Sequence, residues 1–211
     1  MKKTGLTILL ALMVTGVSAQ KDPVAVKVLT EFGNKATSAP SVRIDFGIKA
    51  YDAQEDDETN MEGTAVISGD SYRVTLPDNI IMADGKAVWN YMPDVKEVTV
   101  TEPDPADESF ISRPSLLFTM YREGYKIRLL EQSPQDWTID LYPEDLNMNL
   151  VRIRMIIGKQ NHDLISAEYK TKDGITLTLT ALKYDLTFSP PAGFFTFNPS
   201  DHQGVEVIDM R

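Results

Sequence analysis

Apolar and polar residues alternate along most of this chain. The clearest example is VRIDFGIKAY at positions 42–51, in which every second residue from Val42 to Ile48 is apolar. A period of two is typical of a β-strand with one buried face. Eleven further runs predict strands at 63–68, 72–76, 79–83, 86–92, 97–101, 125–131, 136–142, 149–157, 164–170, 175–184 and 194–197. Because the connections are mostly short, about a dozen antiparallel strands with one solvated face are expected to curl toward a barrel.

Two segments depart from this period. Positions 23–36 read PVAVKVLTEFGNKA, where Val28, Leu29 and Phe32 share one helical stripe, with Asp22 as N-cap and Pro23 in the first turn. Positions 102–124 begin as an acidic, proline-rich loop and continue into SLLFTMY, a short helix that is apolar on nearly every side and must be covered. The predicted fold is mainly β (α+β): an incomplete antiparallel β-barrel of about eleven to twelve strands, with helices covering its concave face.

The run IIMADGKAVWNYMP at 80–93 carries the strongest hairpin signal. Asp84-Gly85 predicts a two-residue turn, which pairs Met82 with Ala87. The opposite face of the hairpin is mixed in polarity. The strongly apolar face carries Ile80, Met82, Trp89 and Tyr91. That face must cover either the core of the protein or a bound apolar guest.

The first nineteen residues have the pattern of a cleavable signal peptide. Lys2-Lys3 forms the positive start, positions 6–14 are apolar, and Val17-Ser18-Ala19 is a small-residue cleavage site. The apolar run is too short to span a bilayer, and no cysteine could carry a lipid anchor or a disulfide. We therefore expect a signal peptide at 1–19 and a single domain at 20–211, located in the periplasm.

Charge and the absence of catalytic motifs narrow the function. Removing Lys2 and Lys3 from the 21 basic residues leaves 19 against 31 acidic ones, a net charge of −12, which argues against nucleic acid and anionic membrane surfaces. No HExxH, GxSxG or glycine-rich phosphate loop occurs, and the two histidines, His162 and His202, lie in polar turns. The acidic run at 52–60 is expected to be a solvated loop. We expect no enzyme, cofactor or metal, although a glycosidase-like carboxylate pair stays open at this level.

Several motifs then resemble one family. ADGKAVWNYMP followed by KEVTVTE, the SLLFTMY helix and the ending FTFNPSDHQGVEVIDMR are similar to the LolA-type carriers of outer-membrane lipoproteins. The order of the motifs agrees over the whole mature chain, from the N-terminal helix through Glu62-Gly63 to the final tail. The resemblance implies an incomplete β-barrel whose apolar concave side, closed by helices, forms a cavity for the acyl chains of a lipoprotein.

The resemblance also implies which residues and partners are involved. Cargo would come from an ABC-type lipoprotein-releasing complex in the inner membrane and pass to an acceptor at the outer membrane, with the carrier acting as a monomer. For the cavity wall we predict Phe46, Tyr72, Val74, Leu76, Ile80, Met82, Trp89 and Tyr91, and for the lid Leu116, Leu117, Phe118 and Met120. The alternative for each residue is ordinary core packing. The alternative functions are a carrier of free lipid or glycolipid and a lipid-binding envelope sensor.

One departure from the family pattern concerns how the lid is held. Carriers from proteobacteria place an Arg-Pro pair before the corresponding strand, and that arginine is credited with keeping the lid closed. In this chain the matching stretch is ISGDSYRV, so Ser68-Gly69-Asp70 falls where the pair would be. Arg73 is the candidate replacement.

Overall fold

The computed structural model describes residues 21–104 and 112–211, so the predicted signal peptide and part of the acidic loop lie outside the described residues. The strands are β1 (Val42–Asp52), β2 (Asp57–Ser68), β3 (Ser71–Thr75), β4 (Ile80–Asp84), β5 (Val88–Met92), β6 (Glu97–Thr101), β7 (Tyr125–Gln132), β8 (Asp136–Pro143), β9 (Arg152–Gly158), β10 (Leu164–Lys170), β11 (Ile175–Asp185) and β12 (Glu206–Asp209). The helices are α1 (Pro23–Ser38) and three short 3-10 helices, η1 (Pro114–Phe118), η2 (Met120–Arg122) and η3 (Pro199–Asp201).

All of these strands belong to one sheet that does not close. Their order is β12-β6-β5-β4-β3-β2-β1-β11-β10-β9-β8-β7, so β12 and β7 form the two edges. The described pairs are antiparallel except β12 with β6, which is parallel. The prediction of an incomplete antiparallel barrel with helices over its concave face is therefore confirmed. Among the described helices, none has the length and apolar character needed to cross a membrane.

Helix α1 lies against the concave face. The Asp22 carboxylate accepts hydrogen bonds from the Val24 and Ala25 amides, which confirms the predicted N-cap. The predicted apolar stripe, Val28, Leu29 and Phe32, is buried. Beneath the helix, β7 to β9 contribute fully buried side chains: Ile127, Ile139, Leu141, Ile153, Met155 and Ile157. Burying each such side chain is worth roughly 1.5–3 kcal/mol, so this half of the sheet forms a conventional core.

The C-terminal strap, which we define as residues 186–205, crosses the outer face of β1 to β5. The Ser41 hydroxyl donates to the Phe188 carbonyl over 2.6 Å, and the Arg43 guanidinium lies 5.6 Å from the centre of the Phe188 ring. The Arg73 guanidinium lies 5.1 Å from the centre of the Phe194 ring. Because the strap covers this face, Val66 is buried although it points away from the concave side. The chain then returns to the sheet as β12.

Two sequence predictions were wrong locally. The acidic run at 52–60 is mostly strand, because β1 continues to Asp52 and β2 starts at Asp57, and Lys49 forms an ion pair of 2.5 Å with Glu58 across the pair. The predicted strand at 194–197 is a pair of tight turns within the strap, closed by amide-to-carbonyl bonds from Phe194 to Pro191 and from Thr196 to Gly193. Strand β12 was not predicted.

A buried ionic network fixes the outer face of β7 to β10. The Asp140 side chain is 0% exposed and receives two hydrogen bonds from Arg154, of 2.8 and 3.0 Å, and one of 2.8 Å from the Tyr142 hydroxyl. Arg152 pairs with Glu168 over 2.7 Å and lies 3.9 Å from Asp140. Burial alone would raise the pKa of Asp140, but the bonds from Arg154 and Tyr142 hold that pKa below its ordinary value.

We predict that Asp140→Asn lowers the free energy of unfolding at pH 7 by about 3 kcal/mol, because the neighbouring guanidinium groups lose their buried counter-charge. A lowered folded-state pKa stabilises the protein above the unfolded pKa of about 4, and this stabilisation is lost as the pH falls from there through the folded-state pKa. Urea unfolding from pH 7 to pH 3 should therefore show a weaker acid dependence in the variant. Asp94→Asn, at an exposed turn, is the matched control. Equal stability of Asp140→Asn and wild type at pH 7 would contradict the prediction.

Candidate functional site

The helices η1 and η2, residues 114–122, form the lid over the concave face. Their amide-to-carbonyl bonds span three residues: Leu116 to Arg113, Thr119 to Leu116 and Arg122 to Thr119. The prediction of one short helix is thus replaced by two 3-10 turns. Leu117, Phe118 and Met120 are buried, as the apolar sequence requires, and Leu116 is half-buried.

The centre of the lid is in contact with the apolar wall of the sheet. Leu117 is 3% exposed and, with Pro114, closes a void of about 30 Å³. The wall of this void consists of Ile44, Phe46, Ala65, Ile67, Val74 and Leu179. A void of that size holds about one water molecule, so the lid side chains occupy the space that an apolar ligand would need.

A groove lies on each side of the lid. The larger has a volume of about 490 Å³ and runs along β4 and β5, where Ile81, Ala83 and Val88 line it together with Asn90. The smaller, of about 210 Å³, runs between the lid and the end of α1. Small-molecule pockets typically measure roughly 300–1,000 Å³, so the larger groove alone is in that range. Asp70, Arg113 and Ser115 border both grooves and separate them.

The structure divides the predicted cavity wall in two. Phe46, Tyr72 and Val74 point to the concave face, and Leu76 packs half-buried against the same core. The remaining four face the other way: Ile80, Met82, Trp89 and Tyr91. They form a separate cluster with Phe197 and Val205 of the C-terminal strap, and the Tyr91 ring lies 5.1 Å from that of Phe197. Their placement in the cavity was therefore wrong, and a lipid-binding role for the first group stays a prediction.

The geometry of the hairpin turn explains why these four residues were correctly predicted to share one face of the hairpin, although that face is not the concave one. The structure pairs Met82 with Trp89 instead of Ala87, a register shift of two residues, so the turn residues are Gly85 and Lys86, one position later than predicted. The Asp84 carboxylate accepts hydrogen bonds from the Lys86 and Ala87 amides, and Gly85 adopts a φ of 84°. A shift of two residues keeps every side chain on its face. The mixed face, with Ile81, Ala83, Val88 and Asn90, is the one that lines the groove.

A sequence signal for the correct direction was present in the neighbouring strand. Tyr72 and Val74 alternate with Arg73, and the hairpin to β4 pairs Tyr72 with Ala83 and Val74 with Ile81. Following this alternation from the regular β1 strand through β2 and β3 assigns Ile81 and Ala83 to the concave face. The hairpin at 80–93, taken alone, contains no such reference.

Arg73 does not contact the lid. It alternates with Tyr72 and Val74, so it points to the outer face, where its Nη1 donates to the Phe194 carbonyl over 3.4 Å. Burial lowers the pKa of Arg73. The proposed substitution of Arg73 for a lid-holding arginine was wrong, because the strap occupies that side of the sheet.

Both histidine side chains contact other side chains. His162 Nε2 lies 2.7 Å from a Glu31 carboxylate oxygen, and the imidazole stacks on Trp137 at 5.1 Å. His202 stacks on Phe197 at 4.7 Å. Both histidines of the polar turns therefore have side-chain partners. No group of three or more His, Cys, Asp or Glu side chains that could hold a metal occurs in the part of the chain that the structure describes.

The lid is held closely against α1. A Cβ placed on Gly33 would lie 2.4 Å from the Phe118 carbonyl oxygen and 2.9 Å from the Tyr121 hydroxyl. The Phe32 and Phe118 rings are 5.5 Å apart. Glycine in the middle of α1 costs some helix stability, but here it allows the lid backbone to approach the helix.

Comparison with known proteins adds a family and a fold. The family model described as "Outer membrane lipoprotein carrier protein LolA" matches residues 72–198. An uncharacterized conserved protein from Thermus thermophilus superposes with a TM-score of 0.57 at 11% identity, covering 88% of this chain and 99% of that chain. A LolA superfamily protein from Nitrosomonas europaea gives 0.45 at 13% identity, covering 82% and 97%. Lipoprotein LppX from Mycobacterium tuberculosis gives 0.46 at 12% identity, covering 80% and 99%. No curated relative matches the sequence.

We predict that Gly33→Ala displaces the lid. The added methyl group cannot fit against the Phe118 carbonyl, so either the lid or α1 must move, at a cost of about 1–3 kcal/mol in the free energy of unfolding. Trypsin should then cleave faster after Arg122, the last residue of the lid. Gly47→Ala is the control, because a Cβ there meets nothing within 4 Å. Wild-type cleavage rates and stability in Gly33→Ala would contradict the close packing described here.

Proposed function

This chain belongs to the LolA family of outer membrane lipoprotein carrier proteins, and on that premise we propose that it is a periplasmic carrier of lipoproteins. In this proposal it binds the acyl chains of its cargo on the concave face of the sheet. It accepts the cargo from an ABC-type complex in the inner membrane and passes it to an acceptor at the outer membrane. The protein acts as a monomer and performs no catalysis.

The observation that carries the proposal is the way the apolar concave face is covered. Beside the conventional core under α1, the thin lid lies against the wall formed by Ile44, Phe46 and Val74, with Leu117 and Pro114 as its contact residues. An acyl chain of about fifteen methylene groups, at ~0.8 kcal/mol each, costs on the order of 12 kcal/mol to expose to water. A carrier between two membranes therefore needs such a wall with a removable cover.

The closed lid suggests how binding and release are balanced. With the lid closed, the void is about 30 Å³, so acyl chains enter only when Leu117 leaves the wall. The acyl chains then replace the contacts that the lid had made with the wall. The net affinity is the difference between the free energy of the acyl-chain contacts and that of the lid contacts. Binding is consequently weaker than the full burial of the chains would give. That difference makes release at the second membrane feasible.

The ligand itself provides the direct test. The protein is purified from its native periplasm under mild conditions, and the ligands that accompany it are identified by mass spectrometry. We expect acylated lipoproteins, and we expect the purified protein to take up a triacylated lipoprotein but not its deacylated form. Recovery of only phospholipid or glycolipid would replace this proposal by a carrier of free lipid or an envelope sensor on the same fold.

We predict that Leu117→Arg abolishes lipid uptake while the sheet stays folded. An arginine at this position would be unpaired against Ile44, Phe46 and Val74, or would force the lid open. The sheet should survive, because the substitution leaves the strand pairing and the side chains that β7 to β9 bury beneath α1 unchanged. Uptake of a fluorescent lipid and far-UV circular dichroism measure the two parts of the prediction.

Leu146→Arg is the matched control, because Leu146 is 79% exposed in the loop between β8 and β9. It should bind lipid as the wild type does. An unfolded Leu117→Arg variant would identify the lid as an integral part of the core. Normal uptake by that variant would show that Leu117 does not cover the binding wall.

A further inference from the structure

The outer face of β7 to β10 concentrates positive charge on an acidic protein. The whole chain has a net charge of −10. On this face, the cross-strand register pairs Lys126 with Tyr142, Arg128 with Asp140, Asp140 with Arg154, Arg154 with Glu168 and Arg152 with Lys170. We call this surface the basic face and define its cations as Lys126, Arg128, Arg152, Arg154 and Lys170. Asp140 and Glu168 are the carboxylates among these paired positions.

Asp140 and Glu168 are already engaged, whereas Glu131 and Asp136 lie on the same face near the turn between β7 and β8. Asp140 is fully buried between Arg154 and Tyr142, and Glu168 pairs with Arg152. In contrast, Lys126, Arg128 and Lys170 are exposed, and none of them forms an ion pair within the described residues. The buried network thus holds two arginines in place and leaves the outer cations available. Groups held in place before contact lose less entropy on binding.

This face is also open to a partner. The C-terminal strap covers the outer side of β1 to β5 and does not extend over β7 to β10, where Lys126 and Arg128 are exposed. Next to the cations, Ile156 is half-buried on the same face and Ile165 is 40% exposed. Arginine together with a few apolar side chains is typical of protein interfaces.

We propose that the basic face is a docking surface for an acidic protein partner. Arginine binds carboxylates through two parallel hydrogen bonds, and Arg128 at the edge of the sheet is exposed for that geometry. Attraction between exposed charges acts over about 8 Å at physiological salt, so a local acidic patch is drawn to this face in spite of the acidic remainder of the chain. A wide anionic membrane would also meet more of the surface of this chain, whose net charge of −10 disfavours a lipid surface as the occupant. This inference does not depend on the cargo.

The test uses an octaglutamate peptide as the probe and the whole mature protein labelled for NMR. At low salt, we expect saturable amide shifts confined to β7 to β10, which are lost when the salt is raised to screen the charges. Lys126→Glu combined with Arg128→Glu should weaken the dissociation constant about tenfold or more. Lys86→Glu combined with Lys96→Glu is the control, because it changes the net charge equally at exposed turns beside β5, far from β7 in the sheet order.

Each outcome of this experiment either supports or overturns the proposal. Shifts confined to the basic face that the first double variant loses and the control keeps would support the proposal. Absence of saturable shifts, or shifts that survive the first double variant, would overturn it. Binding to phosphatidylglycerol-containing vesicles through this face, without binding of the peptide, would overturn it in favour of a lipid surface. Lipid uptake should be unchanged in both double variants, so failure here is distinct from failure of the proposed carrier function.

Discussion

A single open sheet with one apolar face has to cover that face without closing on itself, and most of the architecture follows from this constraint. In a closed barrel the strands cover one another, whereas here the edges β12 and β7 stay apart and separate elements provide the cover. The concave face is consequently divided. Helix α1 covers β7 to β9, where Ile139, Ile153 and Met155 are completely buried, and the lid covers the wall around Phe46. The first half stabilises the fold, and in the proposed carrier function the second half is the part whose contacts are exchanged.

Part of the outer face must also be shielded from water, because the strands near β12 are apolar on both sides. Ile80, Met82 and Trp89 cannot face water together, and the C-terminal strap covers them with Phe197 and Val205. This arrangement explains why the chain continues for some twenty residues after β11 before it returns to the sheet as β12. At the other end of the sheet no strap is present, and the alternate positions of β7 to β10 are charged instead, with Asp140 and the arginines linked across the strands. The outer face of this sheet therefore has an apolar region, which the strap covers, and a charged region, over which the strap does not extend.

The sequence was sufficient for the elements whose signal is local. The alternation of β1, the capped stripe of α1 and the apolar character of the lid each follow from residues within one element, and each was predicted. The face that the hairpin at 80–93 turns toward the cavity could not be read from the hairpin alone, because both of its faces contain apolar residues. The alternation in β3 indicates that face, and the strap, far along the chain, covers the other one. Likewise, glycine at position 33 lowers the helix stability of α1, and only the position of the Phe118 carbonyl shows why glycine is needed there. The failures thus concern contacts between segments far apart in sequence.

The contrast between α1 and the lid bears on how such a protein can bind a large apolar ligand and release it. Helix α1 has sixteen residues, a side-chain cap and a continuous buried stripe, so removing it would expose the core of the sheet. The lid consists of two 3-10 turns with few backbone bonds of its own, and it is held by side chains such as Leu117 that touch the same wall as a ligand would. In the proposed carrier function, opening the lid costs apolar contacts, and a bound acyl chain would restore contacts of the same chemical kind. The sheet and α1 need not change when this exchange occurs, so the stability of the fold and the affinity for the ligand can be set by different residues.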